Sequence, residues 1–314
     1  MTDSLRTFFA GLIDYAGLFP PAALQLDPAI RNYARYRKEP DAWMLGRFII
    51  SAARLNELDP YVDELFAAAP PLTIAALGRG GADESHFLSA LELDLQEIDR
   101  LHDRHGRRVA VEVYEAKLPA QFGSSFLAEV CKFIDAYGEP ALTPYFEAAP
   151  GPQWSEAMAA IAYDRTMFKR KRCGPPGGKL RTGGVEASAF PSTEQVATCI
   201  HAAVAAGVPI KCTAGLHHPV RLFHDSVKTK MHGFLDVFGA GILAAAHKLD
   251  VARIRDILDE EQSSNFRFDA DGFHWRDLRA TPLQVAEARE EAIVSFGSCS
   301  FDEPREDLRA LGMM

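Results

Sequence analysis

Short apolar segments alternate with amphipathic helical ones along the whole chain. The alternation repeats about every 25–37 residues, and it leaves few folds open. In order, the expected strands are 11–15, 44–51, 72–77, 108–114, 142–147, 178–181, 209–213 and 233–238. Between and after them the spacing predicts helices over 27–37, 60–69, 84–105, 124–137, 154–163, 191–207 and 240–261. Eight strand–helix units point to a closed (β/α)8 barrel followed by a C-terminal extension. An open doubly wound sheet is the competitor, and no GxGxxG follows the first strand to support a dinucleotide-binding version of it. The barrel is expected to fill residues 1–262. In 263–314 the pattern predicts a hairpin from Phe266 to Trp275 turning at Asp271-Gly272, a helix over 282–294 and a tail. This extension is expected to pack on the barrel, to make a homo-oligomer contact, or both.

Bulk properties exclude some partners. The formal net charge of −9 argues against nucleic acid or an anionic membrane surface. The run Lys169-Arg170-Lys171-Arg172 reads as a solvated loop face. Five cysteines, odd in number and without CxxC spacing, suggest reduced thiols rather than disulfides or zinc. The N-terminus has no basic leader, and no apolar run approaches the ~18 residues of a membrane span. A soluble, cytoplasmic protein is expected.

The chemistry is carried by two related segments, Gly178-Lys179-Leu180-Arg181-Thr182-Gly183-Gly184 and Pro209-Ile210-Lys211-Cys212-Thr213-Ala214-Gly215. Residues two apart on a strand share a face, so Lys179 goes with Arg181 and Lys211 with Thr213. The helix between them, with Ser192 at its N-cap and Gly207 at its end, makes a parallel βαβ unit that sets the two lysines side by side. If the apolar face of each strand packs outward on helices, Asp14, Glu112, Thr143, Glu147, Lys179, Arg181, Lys211, Thr213 and Asp236 point into the lumen. Charges there are costly unless paired, and active sites of this fold lie at the carboxyl ends of the strands. A partly desolvated lysine beside another cation is expected to lose its proton more easily. Its free amine can then attack a carbonyl to form a Schiff base. Asp14, Glu112 or Asp236 would be the acid–base partners.

Lys179-Leu-Arg-Thr182-Gly183 resembles the segment that holds the Schiff-base lysine of deoxyribose-phosphate aldolase. Lys211-Cys-Thr-Ala-Gly215 resembles that family's second active-site lysine. The resemblance covers mainly residues 170–216, with Asp14 and Glu112 in positions that match the family's acids. It implies a (β/α)8 class I aldolase needing no cofactor, in which Lys179 forms the imine, Lys211 lowers its pKa and Glu112 shuttles protons. The family holds a substrate phosphate on glycine and serine amides after strands seven and eight. Here those loops read Leu216-His217-His218-Pro219 and Phe238-Gly239-Ala240-Gly241. The expected substrate is therefore a small anionic carbonyl or sugar-derived compound, in contact with Arg181, Thr182, Thr213, Glu147, His217, His218, Asp236 and Gly239.

His217-His218 leaves further readings open. With Glu147 or Asp236 the pair would suit a divalent metal, and with Glu112 and Glu147 a metal- or acid–base-dependent sugar isomerase or epimerase, although adjacent histidines are not a standard ligand spacing and no metal ligand is assigned. A non-catalytic metabolite-binding barrel is the remaining alternative. Cys212 is expected in the core, and Cys299 in a small polar loop.

Overall fold

A computed structural model of the chain describes residues 2–67, 70–137 and 141–314. In chain order the elements begin with α1 (Asp3–Phe9), β1 (Ile13–Tyr15), α2 (Leu26–Tyr36), β2 (Leu45–Ser51), α3 (Asp59–Leu65) and β3 (Leu72–Leu77). They continue with α4 (Glu84–His105), β4 (Val109–Lys117), α5 (Phe126–Ala136), β5 (Thr143–Glu147), α6 (Pro152–Met167), β6 (Gly177–Arg181), α7 (Thr193–Ala206) and β7 (Ile210–Thr213). A small hairpin follows, β8 (Leu222–His224) with β9 (Thr229–Met231), then α8 (Phe234–His247) and α9 (Val251–Leu258). The last part holds β10 (Phe266–Asp269), β11 (Gly272–Trp275), β12 (Leu278–Ala280), α10 (Pro282–Glu291), β13 (Ile293–Ser298) and α11 (Asp302–Ala310). The helix expected over 60–69 is α3, and positions 68 and 69 of that expectation lie outside the described residues.

Eight strands close into a parallel barrel in the order β1-β13-β7-β6-β5-β4-β3-β2. The (β/α)8 architecture is the one expected, but its eighth strand is not. Gly233–Phe238 is the start of α8, a helix in which every residue from Phe234 to Ala244 is buried. An apolar run buried on all sides carries no periodicity that separates strand from helix. The barrel is instead closed by β13, from the segment expected to be a helix end and a tail. Ile293 and Phe296 of β13 pack outward in the main core, while Ser295, Gly297 and Ser298 read as loop residues. The barrel therefore does not end at residue 262. Residues 214–292 form one long excursion between β7 and β13, and the hairpin at Asp271-Gly272 belongs to it.

Two apolar layers organise the molecule. The larger lies between strands and helices, where Trp154, Tyr114, Phe146 and Phe296 are fully buried. The smaller fills the lumen with Ala16, Ile49, Ala75, Val113 and Tyr145. One irregularity in β4 decides which acid reaches the site. Ile74 of β3 pairs with Val111, but the next residue, Ala75, pairs with Val113, so Glu112 is an extra residue in the ladder. A bulge of this kind shifts the alternation by one, and everything beyond it changes face. Tyr114 consequently turns outward onto Asp94 of α4, and Glu115 turns into the barrel. Among the described residues, no helix is long and apolar enough to cross a membrane.

Candidate active site

Lys179 and Lys211 face each other in register on β6 and β7. Glu115 lies between them, with Oε2 at 2.9 Å from the Lys179 Nζ and Oε1 at 2.6 Å from the Lys211 Nζ. Lys211 reaches a second acid, Asp14 of β1, at 2.8 Å, and its ammonium lies 5.6 Å from the centre of the Tyr145 ring. Lys179 reaches Glu147 of β5 at 3.2 Å, and Glu147 also accepts a hydrogen bond from the Arg181 Nε at 3.0 Å. Cations and carboxylates thus alternate across the lumen, from Asp14 through Lys211, Glu115, Lys179 and Glu147 to Arg181. Three carboxylates balance two ammoniums and one guanidinium.

Backbone features hold this row in place. Asp14 accepts from the Arg47 amide at 2.6 Å and from the Ser295 hydroxyl at 2.8 Å, so the late strand β13 supplies one of its anchors. Gly46 has to be glycine, because a Cβ there would lie 2.3 Å from the Asp14 Oδ1. The two related segments end in glycine for a shared reason. A Cβ on Gly183 would come within 2.9 Å of the Gly215 Cα, so the loops after β6 and β7 touch through their backbones. Gly215 also takes a left-handed φ of +77°. The Thr182 hydroxyl donates to the carbonyls of Ala214 (2.6 Å) and Thr213 (3.2 Å), locking the same junction.

The charges decide the protonation states. Burial alone would push Lys211 down and Glu115 up. For Lys211 the attraction of Asp14 and Glu115 wins, and its pKa is raised above the usual lysine range. For Glu115 the two lysines win, and its carboxyl is pulled down to about 2. Burial likewise opposes ionisation of Glu147, and Lys179 and Arg181 outweigh it, leaving it below the ordinary range. This corrects one expectation. The carboxylates keep Lys211 an ammonium, against the expectation that a desolvated lysine beside another cation loses its proton more easily.

Above the row opens a cavity of about 430 Å³ at the carboxyl ends of the strands. Lys179 and Glu115 form part of its floor, and Arg181, Thr213, His217 and Cys299 part of its wall. Phe19, Pro20, Ile49, Leu77 and Val185 add apolar wall, and the exposed Glu186 lies among the lining residues as well. Lys179 is 6% exposed, whereas Lys211 is 2% exposed and does not line the cavity. Burial raises the Cys299 thiol above its ordinary range, which keeps it in the unreactive form.

Sequence reasoning places Asp14, Glu147, Lys179 and Lys211 in the row, and Arg181, Thr213 and His217 at the mouth. Five other candidates lie elsewhere. Glu112 pairs with Arg47 at 2.8 Å and lines a separate cavity at the amino ends of the strands; the bulge gives its expected place to Glu115. Thr182 is fully buried and spends its hydroxyl on the loop junction. His218 pairs with Asp307 of α11 at 2.8 Å and stacks on His224, outside the lining of the mouth. Asp236 is buried in the first turn of α8, where it accepts from the amides of Arg221 (2.6 Å) and Gly233 (3.1 Å). Burial raises its pKa well above the usual range. Gly239 lies inside α8 against Phe273 and cradles no anion, since a Cβ there would meet that ring at 2.8 Å. The N-terminus of α8 is thus occupied by the chain's own carboxyl group.

Glu115 is the residue that sequence reasoning misses. The run Val109-x-Val111-x-Val113 reads as one unbroken face, and nothing in it marks the extra residue. Among the described residues, no three His, Cys, Asp or Glu side chains gather in a metal-holding group. Comparisons with protein-family models, curated proteins and solved structures find no match to the chain.

Proposed function

We propose that the protein is a lysine-dependent carbon–carbon lyase of the class I aldolase type, acting on a small carbonyl compound. The observation that carries this reading is the Lys179–Glu115–Lys211 bridge on the floor of the mouth cavity. Barrels with this architecture commonly carry enzymes, and their catalytic groups sit at this end.

Lys179 is the nucleophile because it borders the cavity and Lys211 does not. Its ammonium passes a proton to Glu115, the carboxylate it already touches, and the freed lone pair attacks the substrate carbonyl. The proton returns to the carbinolamine hydroxyl, which leaves as water. The net change is R–NH3⁺ + O=CR′2 → R–NH⁺=CR′2 + H2O, so the lumen keeps the same charge. Glu115 and Glu147, both within 3.2 Å of this nitrogen, favour the cationic iminium over the neutral imine. The iminium then accepts the electron pair of a neighbouring carbon–carbon bond. Lys211 remains charged and holds Glu115 and Asp14 in place through its two ion pairs.

Arg181 uses only its Nε on Glu147. Its terminal nitrogens have no hydrogen-bond partner among the described residues, and the side chain is half exposed at the mouth. This supports an anionic group on the substrate, and a planar guanidinium edge matches a carboxylate. The acid capping α8 removes one helix N-terminus from use as a phosphate cradle.

The test is incubation of the protein with a panel of aldehydes and ketones in the presence of borohydride, followed by peptide mass spectrometry. A stable adduct on Lys179 is expected, and none on Lys179→Arg. An adduct on Lys211 alone would exchange the two roles, and no adduct at all would remove the imine from the mechanism.

A further inference from the structure

Cleavage through an iminium needs a base for the substrate's hydroxyl proton, and the lysine row does not provide a free one. Both oxygens of Glu115 are bonded to lysines, and Asp14 lies beneath them, bonded to Lys211, Ser295 and the Arg47 amide. Glu147 is held between Lys179 and Arg181. In imine formation Glu115 handles a proton it already shares with Lys179. A hydroxyl bound farther up the cavity needs a lone pair that faces it.

His217 supplies one. It follows β7 at the mouth and lines the same cavity as Lys179. Its Nδ1 lies 3.0 Å from the Glu303 Oε2 on α11. The hydrogen bond from His217 holds Glu303 below the ordinary carboxylate range, so Glu303 is ionised and can only accept. Nδ1 therefore carries the hydrogen, the tautomer that leaves Nε2 as the nitrogen with a lone pair to offer. Nε2 has no protein partner among the described residues and is not among the buried unpaired atoms, and the residue that carries it lines the cavity. His218 makes a parallel bond to Asp307, one turn farther along α11, but lies outside the lining.

We propose that His217, oriented by Glu303, is the general base and acid of the carbon–carbon bond step, with a β-hydroxy carbonyl compound as substrate. This assignment rests on the lyase reading above. In the step, Nε2 takes the hydroxyl proton and the O–H pair becomes the π bond of the departing aldehyde. The bond between the carbinol carbon and its neighbour breaks. Its electron pair forms the enamine double bond, and the iminium π pair moves onto the Lys179 nitrogen. The positive charge passes from iminium to imidazolium. The imidazolium then returns its proton to the enamine carbon, and water releases the second product with Lys179 again an ammonium. One proton leaves and comes back, with no outside acid or oxidant.

The experiment compares native protein, His217→Gln, Glu303→Gln and Asp307→Asn with a carbonyl compound that native protein traps. Three rates are followed: borohydride adduct on Lys179, deuterium exchange at the carbon next to the carbonyl in heavy water, and cleavage of the matching β-hydroxy compound. His217→Gln is expected to form adduct within about threefold of native, and to lose exchange and cleavage about 10²–10³-fold. Glu303→Gln lowers kcat for cleavage about tenfold and leaves KM and adduct formation unchanged. Asp307→Asn breaks the neighbouring tie to α11 and leaves all three rates near native. Adduct together with undiminished cleavage in His217→Gln would overturn the base assignment alone. Parallel loss of all three rates in His217→Gln and Asp307→Asn would reduce His217 to a strut for α11. No adduct on native protein would overturn the lyase reading, and this assignment with it.

Discussion

Lys179 and Lys211 stand opposite each other on adjacent strands, yet the closest charge to each is a carboxylate oxygen of the same residue, Glu115. Two ammoniums on neighbouring strands would repel, and one shared carboxylate turns that repulsion into a bridge. The arrangement fixes the distance between the amines and sends only Lys179 up to the cavity floor.

Removing Lys211 takes from Asp14 its closest counter-charge and from Glu115 one of its two. Breaking a buried pair on one side costs about 3–5 kcal/mol. Lys211→Met is expected to lower the urea midpoint accordingly, and Lys211→Met combined with Asp14→Asn to recover part of the loss. A double-mutant cycle on unfolding free energies reads the coupling.

The two glutamates of β4 should separate sharply. Glu115→Gln is expected to slow adduct formation on Lys179 by about 10²-fold, because proton hand-off and iminium support are both lost. Glu112→Gln removes an ion pair with Arg47 at the other end of the barrel, and is expected to stay within about threefold of native. Trapping kinetics on both variants decides it.

Acid should weaken the fold through Glu115. Its folded pKa of about 2 lies below the ordinary 4.5, so its contribution is complete above about pH 4.5 and is lost as pH falls toward 2. Glu147 shifts in the same direction. Urea midpoints measured between pH 5 and pH 2 (on the order of a unit apart) are expected to fall steadily for the native chain. The slope should be shallower for Glu115→Gln.

Gly46→Ala places a methyl group 2.3 Å from the Asp14 carboxylate, on a backbone that cannot retreat without losing the amide bond to Asp14. A loss of about 1–3 kcal/mol is expected, with a lower turnover because Asp14 and Lys211 shift together. Thermal unfolding and cleavage rate check the two effects separately.

Much of this was legible in the sequence. The lysine strands β6 and β7 follow from alternation, and α7 from a Ser192 cap and a Gly207 stop that both appear in the structure. The span of α4, Glu84 to His105, is also the one its periodicity predicts. What escaped had a local cause in each case. The bulge at Glu112 leaves no mark in an alternating valine run. The buried helix α8 has no polar face to give it a period, and β13 carries Ser295, Gly297 and Ser298 where a strand would be expected to carry branched residues. Two of them have a local reason: Ser295 gives its hydroxyl to Asp14, and a Cβ on Gly297 would lie 3.0 Å from the Ile49 side chain.

The late arrival of β13 has a consequence for how the ring is assembled. Until residues 293–298 join, β1 and β7 each present an unpaired edge, and the seven earlier strands form an open curl. The carboxylate of Asp14 meanwhile lacks the serine that steadies it, so the chemistry at the far side of the lumen waits on the last stretch of backbone to dock. A chain cut before that stretch would keep both lysines and still have no finished place to hold them.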